Sequence, residues 1–133
     1  MNVLMSINPE YANAILDGRK KYELRKVIFK NPDAKKVVIY CTAPVSKIIG
    51  EFEIGEIICD TPSRLWEIGK DHFCVQKTFF NKYFEKSKTG YAIEVKTPKR
   101  FDKPILLKDL NIKVTPPQSF CYIEDMEDIK KPL

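Results

Sequence analysis

Two residues of opposite charge, Glu23 and Arg25, lie two positions apart in the run Gly18-Arg19-Lys20-Lys21-Tyr22-Glu23-Leu24-Arg25. In an alternating strand, Lys21, Glu23 and Arg25 share one face, while Tyr22 and Leu24 turn to the other and enter a core. A carboxylate and a guanidinium on a rigid strand can read the polar edge of a base or hold an anion. The competing reading is a solvated surface ion pair, which contributes little. Lys20 joins the pair only from the turn before the strand, because strict alternation puts it on the face opposite Glu23.

The elements around this run can be read from spacing. Val3–Ile7 is predicted as a strand. Asn8 then caps a helix with Pro9 at its first position; Tyr11, Ala12, Ile15 and Leu16 form its apolar face, and Gly18 supplies a left-handed stop. Strands are expected over Lys21–Lys26, Lys36–Thr42 and Ile48–Cys59, with a turn at Asn31-Pro32-Asp33 and a bulge near Gly55. Thr61-Pro62 opens a helical excursion, and a second helix covers Val75–Phe84. Phe79, Phe80, Tyr83 and Phe84 fall on one face of that helix, and the stripe is read as core, not as a base-stacking platform. Strands follow at Tyr91–Lys96 and at Phe101–Leu107, the latter placed at an edge by Pro104. A last short segment spans Ser119–Ile123. Many short strands with inserted helices predict a small mixed barrel within one domain, residues 1–133, and not alternating βαβ units.

Composition bounds the function. With 133 residues, 44% of them hydrophobic, the chain is long and apolar enough for a folded core. No apolar run approaches the roughly 20 residues that span a bilayer. Met1–Ser6 lacks the basic and apolar regions of a signal peptide, so the expected location is the cytoplasm and no membrane partner is expected. Cys41, Cys59, Cys74 and Cys121 form no C-x-x-C pair, and His72 is the single histidine. Neither a metal site nor a cofactor is therefore expected. Cys41 and Cys59 are read as small core residues. The net charge of +5 is uneven: the acidic segment Phe120–Leu133 leaves residues 1–119 with 21 basic and 14 acidic side chains. Basic residues gather at Arg19–Lys21, at Lys30, Lys35 and Lys36, at Lys86 and Lys88, and at Lys99, Arg100 and Lys103. Such clusters can neutralise phosphates, although lysine-rich loops also serve solubility.

The signature Gly18-x-Lys20-x-x-Glu23-x-Arg25 resembles that of the ASCH family, a branch of the PUA-like superfamily. Ser6-Ile7-Asn8-Pro9-Glu10-Tyr11-Ala12, Tyr40-Cys41-Thr42-Ala43-Pro44, Gly50-Glu51-Phe52, Gly90-Tyr91-Ala92-Ile93 and Pro116-Pro117-Gln118-Ser119-Phe120 are similar to further family segments in the same order. The resemblance implies an α+β fold, a PUA-like β pseudo-barrel of five to six mixed strands flanked by two to three helices. It implies a cleft for RNA or a modified nucleoside, lined by Lys20, Lys21, Glu23 and Arg25, with Lys99, Arg100, Gln118 and Ser119 as further ligand-binding residues. The main reading it implies is an RNA- or modified-nucleotide-binding module with a regulatory role in transcription or translation. The alternatives are an amidohydrolase acting on N4-acetylcytidine-like nucleosides and a ribonuclease. As an enzyme, the chain would use Lys20 with Glu23. Lys20 matches the catalytic lysine of the amidohydrolases, and like-charge repulsion from Lys21 and Arg25 is expected to lower its pKa. Glu23 replaces their threonine, however, and no carboxylate lies in Lys77–Phe80 to match their glutamate; Glu85 and Glu94 are the nearest acids.

Overall fold

Strands β1 (Asn2–Ile7) and β3 (Lys36–Cys41) pair in parallel at the centre of the sheet in the computed structural model, which describes residues Met1–Lys131. Residues 132 and 133, the end of the expected single domain, lie outside the described residues. Both central strands are apolar on both faces because alternate side chains serve two cores. Val3, Met5, Ile7, Val37 and Ile39 pack with Ala12, Ile15, Phe52 and Ile93 on one side. Leu4, Val38 and Tyr40 pack with Leu107, Leu110, Met126 and Ile129 on the other. Burial on both faces is what turns the strand pattern from alternation into an unbroken apolar run.

Strands β2 (Tyr22–Arg25), β4 (Lys47–Asp60), β5 (Gly90–Ile105) and β6 (Phe120–Ile123) complete a six-stranded mixed sheet in the order β2-β5-β4-β3-β1-β6. The sheet is not closed into a barrel, which corrects the pseudo-barrel expected from sequence. β2 and β6 form its two ends and share no ladder. Each has four residues, and β6 is approached through Pro116 and Pro117, which have no N–H to donate to a ladder. Side chains span the gap instead: Arg25 at the end of β2 reaches Ser119, just before β6, and the Ser6 carbonyl of β1.

The two strands expected at Tyr91–Lys96 and Phe101–Leu107 are one long strand, β5. β2 pairs only with its first part, Tyr91 to Glu94, and β4 runs along the whole length with register shifts, one of them across Gly55. Beyond Glu94 one side of β5 therefore has no ladder partner, and both prolines of the strand, Pro98 and Pro104, fall in this stretch. Gly50 of β4 lies where a Cβ would come within 2.6 Å of the Lys99 carbonyl and 2.8 Å of Leu16, so only glycine lets the first helix and β5 approach there. Cys41 is buried as expected, but Cys59 is exposed, because the outer half of β4 has only one covered face.

Four short helices occur among the described residues, against the two to three expected: α1 (Pro9–Leu16), α2 (Pro62–Gly69), α3 (Lys77–Tyr83) and α4 (Met126–Ile129). The Asn8 side chain accepts from the Tyr11 N–H at 3.0 Å, capping α1. Gly18 closes it with φ +80°, and the Arg19 and Lys20 N–H groups return to the Ala14 carbonyl. This reversal aims the chain back along the helix and delivers Lys20 to the sheet edge. α2 and α3 cover β2 and the start of β5 through a third cluster of Leu24, Leu65, Phe73, Phe80, Phe84 and Ala92.

Candidate functional site

A cleft of about 550 Å³ opens where the two ends of the sheet approach one another. β1 contributes Ser6, α1 contributes Tyr11, Lys20 and the run Glu23 to Val27 form one wall, α3 contributes Phe79 and Tyr83, and Gln118 and Ser119 close the far side. Of the eight residues the sequence points to, Lys20, Glu23, Arg25, Gln118 and Ser119 meet here. Lys21 is exposed and does not line the cleft; its backbone N–H donates to the His72 carbonyl instead. Lys99 and Arg100 lie elsewhere. Arg100 donates to the Asn13 amide oxygen and to Asp17, both at 3.0 Å, and so braces α1 against β5.

Glu23 and Arg25 form a 3.1 Å ion pair with side chains only 6% and 13% exposed. This is a sheltered pair, not the solvated surface pair that the spacing also allowed. The guanidinium makes four hydrogen bonds: to Glu23, to the Ser6 carbonyl, and to the Ser119 carbonyl and hydroxyl, the last at 2.7 Å. Arg25 is thus committed to strapping the sheet ends together and fixing Glu23. The second carboxylate oxygen of Glu23 has no partner among the described residues, and no buried side-chain oxygen there is left unsatisfied, so this oxygen faces the cleft.

Lys20 is 1% exposed, yet its side chain reaches the cleft wall. Its amine donates to the Phe73 carbonyl and stands 5.0 Å from the centre of the Tyr11 ring. Burial pushes its pKa below the ordinary lysine value of 10.5, while Glu23, Cys74 and Glu10 pull the other way. The direction expected from sequence holds, but its cause is desolvation and not repulsion from Lys21 and Arg25. Burial likewise raises the hydroxyl pKa of Tyr83 and of Tyr11, with Glu23 adding to both. Among the described residues, Glu23 is the one carboxylate lining the cleft. Glu94 instead accepts from the Glu56 N–H, and Glu85 is an exposed residue after α3. Among the described residues, no group of three or more His, Cys, Asp or Glu side chains is placed to hold a metal ion.

The aromatic stripe of α3 divides. Phe80 and Phe84 are core, whereas Phe79 and Tyr83, four residues apart, turn to the cleft. The i, i+4 spacing was the available signal, merged in the sequence reading with the buried pair beside it. Lys26 also lines the cleft, exposed, with its amine 4.7 Å from the centre of the Tyr83 ring.

The model of the ASCH domain matches residues 5–105, and the chain belongs to the ASCH domain family. It is 28% identical over 130 residues, 96% of this chain and 87% of the other, to an ASCH domain-containing ribonuclease of Zymomonas mobilis. The crystal structure of an ASCH protein from Zymomonas mobilis superposes with a TM-score of 0.86 at 26% identity, covering 96% of this chain and 90% of that one. The chain is also 26% identical over 123 residues to part of an ATP synthase subunit alpha of Ureaplasma parvum, of which it spans 15%.

Proposed function

We propose that this protein binds RNA in the cleft and cleaves its backbone. The observation that carries the reading is the buried Lys20 amine, its pKa lowered by desolvation, lining the same cleft as a Glu23 carboxylate oxygen that no protein group among the described residues occupies. Desolvation favours the neutral amine, the form that can act as a general base. The similarity to a protein named a ribonuclease favours cleavage over binding alone. In this reading Glu23 accepts a hydrogen bond from another N–H or O–H donor of the nucleotide and so orients it, and the neutral Lys20 amine takes the single proton of its 2′-hydroxyl. The 2′-oxygen attacks the adjacent phosphorus; the new O–P bond forms as the bond from phosphorus to the 5′-oxygen breaks. Tyr83, whose hydroxyl stays protonated well above neutral pH, supplies the proton to the departing oxygen. Lys26 is the exposed cation beside the phosphate, and Arg25 holds Glu23 in place. The products are a 2′,3′-cyclic phosphate and a 5′-hydroxyl.

Single-stranded RNA incubated with the protein and a chelator tests this. Fragments ending in cyclic phosphate are expected, and a 2′-deoxynucleotide at the scissile position should stop the cut. RNA that stays intact while bound would leave a recognition module. Release of acetate from N4-acetylcytidine, with RNA intact, would assign the same amine to amide hydrolysis.

A further inference from the structure

Three polar or charged side chains are buried among the described residues: Lys20 and Glu23, which make the cleft, and Asn2, 3% exposed. Asn2 opens β1 at the end away from the cleft, which the strand meets at Ser6. Alternation puts its side chain on the face of Leu4, the face of the second core, and there it begins a polar row. Asn2 pairs with Lys36 of β3, and Glu51 of β4 pairs with Lys99 of β5. The Lys36 amine bridges the middle of the row, 2.9 Å from Glu51. Leu4 and Val38, the next residues on this face, are fully enclosed, so the row marks where the second core ends. A cavity of about 350 Å³ is lined by this row and by the start of α4. The Asn2 amide makes no hydrogen bond within the protein among the described residues, and no fully enclosed side-chain nitrogen or oxygen there lacks a partner, so the amide opens into this cavity. It is a sheltered donor and acceptor held at a fixed point.

The charges around it select the ligand. Lys36 is taken by Glu51, and the Asp125 carboxylate by the Met1 amine at 3.3 Å. Lys35, Lys99 and Lys130 line the cavity without a carboxylate at ion-pair distance among the described residues, against Glu127 as the one carboxylate in the same state. The Lys130 amine stands 5.0 Å from the centre of the Phe101 ring, so an apolar surface adjoins the cations. We propose that this cavity is a second ligand site, separate from the cleft, for a small phosphorylated molecule. Asn2 donates to a phosphate oxygen, the three free lysines neutralise its charge, and the carbon skeleton lies against Phe101. A phosphate monoester carries about −1.5 to −2 charge and three acceptor oxygens at neutral pH, enough to engage three amines and an amide together, as a lone carboxylate is not. The volume lies at the small end of ligand pockets, which run from about 300 to 1,000 Å³, and suits a sugar phosphate. The site stands whether or not the cleft acts on RNA.

The test is a titration of ¹⁵N-labelled protein with ribose 5-phosphate, followed by amide NMR shifts, with ribose and inorganic phosphate as its two halves. Saturable shifts are expected at Asn2, Lys36, Lys99 and Met126, and none at Glu23 or Arg25. Inorganic phosphate should move the same amides with weaker affinity, because it lacks the part that packs on Phe101; ribose should move none. Asn2→Leu matches the amide in shape without its hydrogen-bonding groups and should weaken ribose 5-phosphate binding about 10- to 150-fold, the range for one hydrogen bond to a charged group. Lys99→Ala, at an exposed position, should weaken it as well, whereas Lys20→Met in the cleft should leave it unchanged. No saturation by about 10 mM ligand, shifts spread evenly over surface lysines or confined to the cleft, or parent affinity in both Asn2→Leu and Lys99→Ala overturns the inference.

Discussion

The cleft and the outer half of β5 are both rich in charge, and they hold it in opposite ways. In the cleft Lys20 and Glu23 are buried, and Arg25 spends its guanidinium on four bonds to the protein. Along β5, Lys99 and Lys103 are exposed and line a groove of about 770 Å³ with Lys130 and Lys131. The one ordered contact of these four cations with an aromatic ring is that of Lys130, 5.0 Å from the centre of Phe101. Charges in the first region are fixed in direction and partly dehydrated, so they can tune a proton or orient a hydroxyl. Charges in the second stand exposed to solvent, so they act as a field that attracts phosphates and weakens with salt. Position in the fold, more than the number of lysines, separates chemistry from attraction.

The sharpest way to break this contrast is to remove the buried amine. Lys20→Met should lower the cleavage rate by about 100- to 10,000-fold, the usual share of a general base. It should leave Tm unchanged or higher, since replacing a buried charge by an apolar side chain is commonly neutral or stabilising. Thermal melts and initial rates on one preparation separate the two effects. Next in size is Arg25→Ala, which leaves the Glu23 charge sheltered without its partner and unstraps the sheet ends. A loss of about 3–5 kcal/mol in chemical denaturation is expected. The double change Glu23→Leu with Arg25→Met should recover most of it, while remaining inactive.

Much of this site was legible in the sequence. The Asn8-Pro9 cap, the Gly18 stop and the alternation of Tyr22 to Arg25 place Glu23 and Arg25 together, because each step is local. The open sheet was not legible. Whether β2 and β6 pair depends on a contact between residues about a hundred positions apart, and the reach of the Arg25 side chain across the gap leaves no mark in periodicity. Lys20 shows the same limit. Its charged neighbours in sequence pointed to a lowered pKa by repulsion, but burial beneath Phe73 and beside Tyr11 is a tertiary fact. The splitting of Phe79 and Tyr83 from Phe80 and Phe84 likewise needs the position of α3 on the sheet, since all four residues fit one helical face.

Two smaller effects sharpen the comparison. The lowered pKa of Lys20 means that the unfolded chain binds a proton there more tightly than the folded one. Stability should therefore rise with pH from the depressed folded value towards the ordinary value of 10.5. Above pH 10.0, the ordinary tyrosine value, Tyr11 and Tyr83 begin to act in the opposite sense because their folded values are raised. Denaturation midpoints for the parent protein and Lys20→Met, compared below that pH, should converge as pH increases. Smallest of all, Lys99→Ala and Lys103→Ala should each weaken RNA binding similarly for every sequence and reduce the salt slope by about 1, with the cleavage rate of bound RNA unchanged. Filter binding across a salt series measures this.

The most direct test of the account is the pH dependence of cleavage under single-turnover conditions, for the parent protein and for Lys20→Arg. The parent rate should climb with pH through a depressed lysine pKa and then level off. Lys20→Arg, which keeps the charge but cannot lose its proton in this range, should bind the RNA and cut it at least about 100-fold more slowly, without that titration. A parent profile flat from acid to alkaline pH, or an arginine variant that cuts with the same profile as the parent, would contradict the assignment of Lys20 as the base and with it the division between the cleft and the β5 groove.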